Sequence, residues 1–261
     1  MSIFEREDLK NNFDKVIKSV FNNSALPELF HIIIDGPVSL EFKKKIMSIC
    51  NKNQKIKTYW LKKNIGEAKA LNKIIPKIKT QWLAKVDGDD YNYKNRFKEQ
   101  IKYIKQGYDL IGSYIIEKKN NKMVLKKKVP INFKKIKFYA KFRNPINHMT
   151  VMFKKSAFIK VGGYPNIYLK EDYGLWANFI KHNYKIININ KYLVVASVGE
   201  GFYIRRGGWK YIKSEINLQI HLIRCNINGF FWGAIILFLR CIALSVNPNL
   251  RSMIYKMFLR H

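Results

Sequence analysis

Asp87-Gly88-Asp89-Asp90 is the densest set of carboxylates in the chain, with three of its eight aspartates in four positions. It directly follows a short apolar run, 82–86, that reads as a buried strand. Open α/β sheets place ligands beyond the carboxyl ends of their strands. Carboxylates packed this closely repel one another unless a cation sits among them, and Asp oxygens suit Mg2+ or Mn2+ held together with substrate phosphates. The alternative is an Asp-rich turn that caps the next helix. A second pair, Glu171-Asp172, opens a helix that continues Tyr173-Gly174-Leu175-Trp176. Acidic residues in a first turn complement the helix dipole. A carboxylate placed there, after the loop Gly162-Gly163-Tyr164-Pro165, can also reach into a cleft as a general base toward a hydroxyl. Arg205-Arg206-Gly207-Gly208 reads either as an ordinary basic surface loop or as one able to fold over a phosphate group. His148, after Asn144-Pro145-Ile146-Asn147, either lines a site or serves the structure.

The elements that must position these groups alternate. Leu9, Phe13, Val16, Ile17 and Val20 have helical spacing over 7–22. Residues 29–34 form a β-rich run stopped by Asp35-Gly36-Pro37, a turn sequence. Then come a helix over 42–50, a strand over 56–61, a helix over 67–75, the strand 82–86, a helix over 95–106 and a strand over 110–117. Strands separated by helices of this length predict parallel β-α-β units, so the class is α/β. After 117 the texture changes to a Lys/Asn-rich hairpin or loop (118–128), a helix near 133–142, a strand at 150–153, the helix 171–181 and two short strands within 185–198. From 216 onward the chain reads as helical. The economical division is a catalytic domain over 1–210, with halves of about 1–117 and 118–210, and a helical extension over 211–261.

The chain has 261 residues, 48% of them hydrophobic, with 49 Lys+Arg against 18 Asp+Glu and a formal charge of +31. So much apolar content excludes intrinsic disorder. The charge must attract polyanions: nucleic acid, anionic lipid or phosphorylated substrates. Three unspaced cysteines make neither a disulfide framework nor a zinc site and point to a reducing compartment. The one membrane candidate, 229–246, is interrupted by Arg240 and lies at the lower edge of the roughly 18–20 residues that a spanning helix needs.

In this order the motifs resemble the family 2 glycosyltransferases. These are inverting, nucleotide-sugar-dependent enzymes with the GT-A fold, a mixed, mostly parallel sheet flanked by helices. Ser2-Ile3-Phe4 is similar to the family's first nucleotide-binding turn, and Ile32-Ile33-Ile34-Asp35-Gly36 to a second strand whose Asp contacts the nucleobase. Asn64-Ile65-Gly66 with Ala70-Leu71-Asn72 resembles the segment framing the nucleotide pocket, and Asp87-Gly88-Asp89-Asp90 the metal-binding Asp-x-Asp. Gly162-Gly163-Tyr164 with Glu171-Asp172 resembles the acceptor region and its base. The stretch from Asn144 to Phe153 and Arg205-Arg206-Gly207-Gly208 are similar to the branch that builds bacterial capsule, exopolysaccharide (amylovoran type) and O-antigen units.

The resemblance implies a hexosyl transfer with Asp172 as base. It assigns Asp89 and Asp87 to Mn2+ or Mg2+, and Phe4, Asp35, Gly66, Asn72, Asp87, Arg205 and Arg206 to the nucleotide sugar, with UDP as the expected nucleotide. His148, Glu171 and Trp176 fall to the acceptor. It further implies a glycan acceptor on undecaprenyl diphosphate and a peripheral place on the cytoplasmic face of the bacterial inner membrane. There the basic surface meets anionic lipid, and 229–246 serves as an interfacial anchor. No specific nucleic-acid partner is expected, because the lysines are spread evenly and no nucleic-acid motif occurs.

The departure from the pattern is the first strand. Met1-Ser2-Ile3-Phe4 is too short for a central strand, which predicts exposed edges inside the core and places the expected start upstream of Met1. It also keeps alive the alternative of an inactive family member acting as a membrane-bound assembly partner. The remaining rivals are a nucleic-acid-binding protein and a two-metal phosphoesterase, which would need more ligands than this chain offers.

Overall fold

The computed structural model describes residues 1–119, 122–198 and 208–245. Its N-terminal half follows the expected alternation: β1 (Ser2–Ile3), α1 (Glu7–Phe21), β2 (Phe30–Ile34), α2 (Leu40–Lys52), β3 (Ile56–Trp60), α3 (Glu67–Ile74), β4 (Trp82–Ala84), β5 (Tyr91–Asn92) and α4 (Arg96–Lys105). The second half comprises β6 (Leu110–Lys119), β7 (Lys122–Lys127), α5 (Phe133–Tyr139), β8 (Met152–Lys154), α6 (Lys155–Lys160), α7 (Glu171–Lys181), β9 (Ile186–Ser197), α8 (Trp209–Arg224) and α9 (Phe230–Ser245).

The mixed sheet is present in two pieces. β1, β2 and β3 form a parallel three-stranded sheet, and β4-β8-β6-β9-β5 form a second, with β7 hairpinned onto β6. In the second sheet β6 and β9 run parallel, while β8 is antiparallel to both β4 and β6. The expected break within 185–198 is an irregularity inside one strand. Between Ser113↔Ile189 and Tyr114↔Tyr192 the β9 side takes up extra residues, so polar Asn190 and Lys191 mark a bulge and not a strand end.

β2 is buried on both faces, as a central parallel strand must be. Ile32 and Ile34 join the Leu9, Phe13, Val16 and Val20 face of α1, and Ile33 joins the main cluster with Leu71, Phe158 and Trp176. α8 is part of that main cluster through Leu218 and Leu222, and it begins at Trp209, earlier than the sequence reading placed it.

β1 is indeed short: Ser2 pairs with Ile33 and Ile3 with Ile34. Beside Phe30 and His31 the two sheets are separated by an apolar cavity of about 400 Å3, closed on the other side by Trp82 and Leu83. His31 lies at its edge, with Nδ1 at 3.1 Å from Tyr59 Oη and Nε2 buried without a partner.

Burial, with help from the Met1 ammonium and Lys57, lowers the His31 pKa to about 4. The unfolded ring takes a proton near pH 6.5 and the folded ring only near 4. This contribution to stability is therefore complete above 6.5 and lost as pH falls toward 4. The shift has an upper bound of roughly 3 kcal/mol, which solvent screening of the half-exposed ring cuts to about 1 kcal/mol. Urea unfolding at pH 7 and pH 5 is expected to show a smaller pH-dependent loss in His31→Gln than in the parent. Equal losses would remove His31 from the account.

Candidate active site

β4 delivers its chain into a loop whose three carboxylates face different ways. Asp87 meets the ammonium of Lys85, which is almost fully buried and also lies 2.7 Å from Glu67 Oε1. Burial works against the Lys85 charge, but Asp87 and Glu67 prevail and hold its pKa above the ordinary lysine value. Burial likewise opposes ionisation of Asp87, and Lys85 overrides it, so that carboxylate stays below its usual range. Asp89 pairs with Arg6 at 2.9 Å on the rim. Asp90 turns into the core, where it accepts from Ser197 N at 2.9 Å. Burial and the repulsion of Asp87 and Asp89 push its pKa well up. Beneath the loop, fully buried Arg96 donates to Lys85 O (2.6 Å) and Gln100 Oε1 (3.2 Å) and also to Asn92 Oδ1.

Asp87 and Asp89 stand on the wall of a pocket of about 290 Å3 together with Phe4, Arg6, Asp35 and Gly66. Four of the residues expected at the nucleotide therefore share one cavity. The Asp35 carboxylate is committed: Oδ1 accepts from Ile65 N and Oδ2 from Gly66 N, each at 2.9 Å. As placed, it shapes the loop that floors the pocket. Gly36, with φ +109°, lets that loop close, since a Cβ there would stand 2.7 Å from Asn64 N.

Asn72 does not join them. It clamps α3 to the glycine loop, donating to Tyr164 O at 2.8 Å and accepting from Tyr164 N at 2.9 Å. The residue expected at the nucleotide stands here as a structural brace, with one N–H and its amide oxygen both given to the Tyr164 backbone, and it is not among the residues on the pocket wall. Gly163, at φ +69°, is the counterpart: a Cβ there would meet Asn72 Oδ1 at 2.5 Å.

On the acceptor side, Asn144 Nδ2 donates to Asp172 Oδ2 at 2.6 Å, and the backbone N–H of Tyr173 donates to Oδ1 at 2.8 Å. Both oxygens are oriented, and each keeps acceptor capacity for a hydroxyl. Glu171 beside it is half-buried; burial first and the Asp172 charge next raise its pKa. His148 Nε2 lies 2.8 Å from Tyr164 Oη, with its ring against Trp176. Trp176 itself is fully buried. The expected acceptor contact through Trp176 is corrected to a core role, a floor under His148, because α7 turns that face into the main cluster. Arg205 and Arg206 lie outside the described residues.

The two halves meet around Tyr164. Burial raises its phenol pKa, and the charges of Glu67, Asp172 and Asp87 add to this against Lys85. Sequence reasoning missed Lys85, Glu67, Arg96, Arg6 and Asn144. Lys85 carried a signal, a lone charge inside the apolar run 82–86, and Asn144 stood next to a proline in a motif already noted.

Among the described residues no group of three or more His, Cys, Asp or Glu is gathered as a cation cage. Asp87 and Asp89 nevertheless suit Mg2+ or Mn2+, which bind through one or two carboxylates plus substrate phosphates. Both carboxylates already attract a cationic partner, and the Arg6 side chain on Asp89 is nearly half exposed.

Comparison with known proteins shows the family. Residues 2–162 match the domain family Glycosyl transferase family 2. The UDP-Gal:alpha-D-GlcNAc-diphosphoundecaprenol beta-1,3-galactosyltransferase of Escherichia coli is 33% identical over 251 residues, covering 94% of this chain and 90% of that protein. The amylovoran biosynthesis glycosyltransferase AmsE of Erwinia amylovora is 26% identical over 98% of this chain and 96% of its own. Among solved structures, S. aureus TarS 1-349 in complex with UDP-GlcNAc superposes with a TM-score of 0.70 at 14% identity, covering 99% of this chain and 75% of that one. The Pyrobaculum calidifontis mannosyltransferase PcManGT, in complex with GDP-Man and Mn2+, gives 0.61 at 10% identity over 97% of this chain and 81% of its own. Both share the fold, a GT-A-like one. With the domain matched over more than half its length and a full-length relative at one-third identity, the chain belongs to glycosyl transferase family 2 and is a glycosyltransferase.

Proposed function

We propose that the protein transfers one sugar from a UDP-sugar to a lipid-linked glycan acceptor in bacterial surface polysaccharide synthesis, with inversion at the anomeric carbon. The observation that supports this is Asp172, held by Asn144 at 2.6 Å, whose charge bears on the Tyr164 phenol together with those of Asp87 and Glu67. An oriented base near a diphosphate-side carboxylate pair is what an in-line displacement requires. The relatives support the substrates: one acts on a UDP-galactose donor and a diphosphoundecaprenol-linked acceptor, and one serves amylovoran biosynthesis.

Asp89, with Asp87, would hold the divalent cation, which neutralises diphosphate charge when bound. Phe4, Asp35 and Gly66 shape the nucleotide end of the pocket. Asp172 takes the proton of the acceptor hydroxyl as that oxygen forms its bond to the anomeric carbon. The bond to the diphosphate breaks on the opposite side, and the leaving group departs with the electron pair. Arg205 and Arg206 would balance its charge, and Glu171 and His148 line the acceptor side. The division expected at 210/211 falls inside α8, which begins at Trp209 and packs into the main cluster through Leu218 and Leu222, so we assign α8 to the catalytic part.

Among the described residues no helix is long and apolar enough to cross a membrane. α9 instead exposes Phe230, Phe231, Phe238 and Leu239, and Phe138 of α5 is exposed as well. Trp232 packs on Phe142 at 6.1 Å, joining α9 to the turn that follows α5. Lys134, Lys135 and Lys137 of α5 are exposed as well. Exposed aromatic side chains and lysines in a +31 chain suit peripheral docking on anionic lipid, where each basic residue contributes roughly 1 kcal/mol.

A thermal-shift titration tests the donor side. UDP with Mn2+ is expected to raise the melting temperature, by the equivalent of about 2.7 kcal/mol at a hundredfold excess over Kd, with GDP and dTDP weaker. Asp89→Ala is expected to fold normally and to lose the Mn2+-dependent part of that shift. A full shift in Asp89→Ala would remove Asp89 from the cation site, and no shift with any nucleotide would favour the inactive assembly partner.

A further inference from the structure

Asp172 has two supports, and both lead to one guanidinium on another helix. The first support is α7 itself, whose N-cap is Lys170. The Lys170 ammonium donates to Tyr211 Oη at 2.9 Å and to Glu215 Oε1, and the other oxygen, Oε2, receives Arg240 Nη1 at 2.5 Å. The second support is Asn144, which lies two residues after Phe142, and the Phe142 carbonyl accepts from Arg240 Nη2. Tyr173, next in the chain to Asp172, donates to Ala140 O at 2.7 Å and meets the same guanidinium. Arg240 therefore touches the frame of Asp172 on both sides.

The chemistry of the junction is specific. Glu215 is nearly fully buried. Burial opposes its charge, yet Lys170 and Arg240 hold its carboxyl below the usual range. A guanidinium is a rigid planar fork that can serve a carboxylate and a carbonyl at once, which a lysine ammonium on a flexible stem does not reproduce. The helix that carries this fork is α9, whose other face shows Phe231, Phe238 and Leu239 to solvent. α8 adds further grip on α7: Ser214 Oγ donates to Tyr168 O, and His221 Nε2 lies 3.1 Å from Gly174 O.

We infer that Arg240 is a positioning residue for sugar transfer: its two-armed contact with Glu215 and Phe142 O sets the place of Asp172 and ties it to the seating of α9. This rests on the reading of Asp172 as the base and adds the route by which the apolar helix governs it. A displacement of about 1 Å at a reacting group costs up to about 10²-fold in rate. Removal of the fork should thus lower kcat while leaving the nucleotide pocket, whose lining includes neither Arg240 nor its partners, unchanged.

The test compares Arg240→Lys, Arg240→Gln, Asn144→Ala and the Arg240→Gln/Asn144→Ala pair, with Asp172→Asn as reference, reading kcat, acceptor KM and UDP affinity on full-length protein. Arg240→Lys keeps a cation on Glu215, so it should fold like the parent. It is expected to lose about 10-fold in kcat, and Arg240→Gln 10–100-fold, with UDP affinity within twofold of the parent. In the Asn144→Ala background the Arg240→Gln loss should shrink to a few-fold, since both act through one frame. Arg240→Lys with parental kcat overturns the inference while Asp172→Asn remains dead. So does full additivity in the pair, or a kcat loss matched by an equal loss of UDP binding. If Asp172→Asn itself retains turnover, the base reading fails first, whatever Arg240 does.

Discussion

Asp172→Asn is expected to reduce sugar transfer by about 10²–10⁴-fold, the range a positioned general base supplies, with UDP affinity unchanged. The substitution is nearly isosteric. Its amide oxygen can still accept the Asn144 N–H that now reaches Oδ2 at 2.6 Å, while the amide nitrogen cannot accept from Tyr173 N, the 2.8 Å bond now made to Oδ1. What is lost is basicity and that one backbone hydrogen bond: an amide cannot take the acceptor proton. The change should therefore fall on kcat, with donor KM close to the parent value. Glu171→Gln is the control, because Glu171 is the adjacent carboxylate and is half-buried with a raised pKa. It is expected to cost less than 10-fold. UDP release in a coupled assay, with and without acceptor, measures both. Near-parental turnover in Asp172→Asn together with a dead Glu171→Gln would transfer the base to Glu171.

Much of this architecture was legible because local signals and tertiary demands coincide in the first half. The α1 spacing, the apolar β2 and the Asp35-Gly36-Pro37 stop each have one reading, and the structure uses that reading. The pocket was legible for the same reason: Phe4 and Asp35 directly follow β1 and β2, and Gly66, Asp87 and Asp89 lie in the loops after β3 and β4, where a β-α-β sheet opens. What could not be read depends on contacts far apart in sequence. Asn72 is consumed by Tyr164, 92 positions away, and nothing near Asn72 announces it. Trp176 lies on a helix that is apolar nearly all round, so no periodicity says which face meets substrate. The Lys170–Glu215–Arg240 chain joins three separate segments of similar composition in a lysine-rich sequence, where one basic residue looks like any other.

Lys85→Met is expected to destabilise the fold by about 3–5 kcal/mol, the cost of leaving a buried charge without its partner. The lysine stem is replaced by a side chain of similar volume, so the loss is electrostatic and no cavity is made. Asp87 would keep its place on the pocket wall, within electrostatic reach of the Arg96 guanidinium. Arg96, however, is spent on Lys85 O, Gln100 and Asn92 and cannot turn to it. For a domain of this size each kcal/mol moves the melting temperature by roughly 2–4 °C, so a drop of about 10 °C is expected. Glu67→Gln breaks the other half of the same bridge but should cost less than about 1 kcal/mol, since Glu67 is nearly half exposed and water replaces the lysine. The double change Lys85→Met/Asp87→Asn should recover most of the stability, because a buried pair removed together leaves no orphaned charge. It should not recover transfer, because Asp87 also faces the donor pocket. That separation of stability from activity is the point of the experiment. If Lys85→Met melts with the parent, the ammonium does not compensate the loop; if the double variant stays as unstable as the single, packing and not charge explains Lys85.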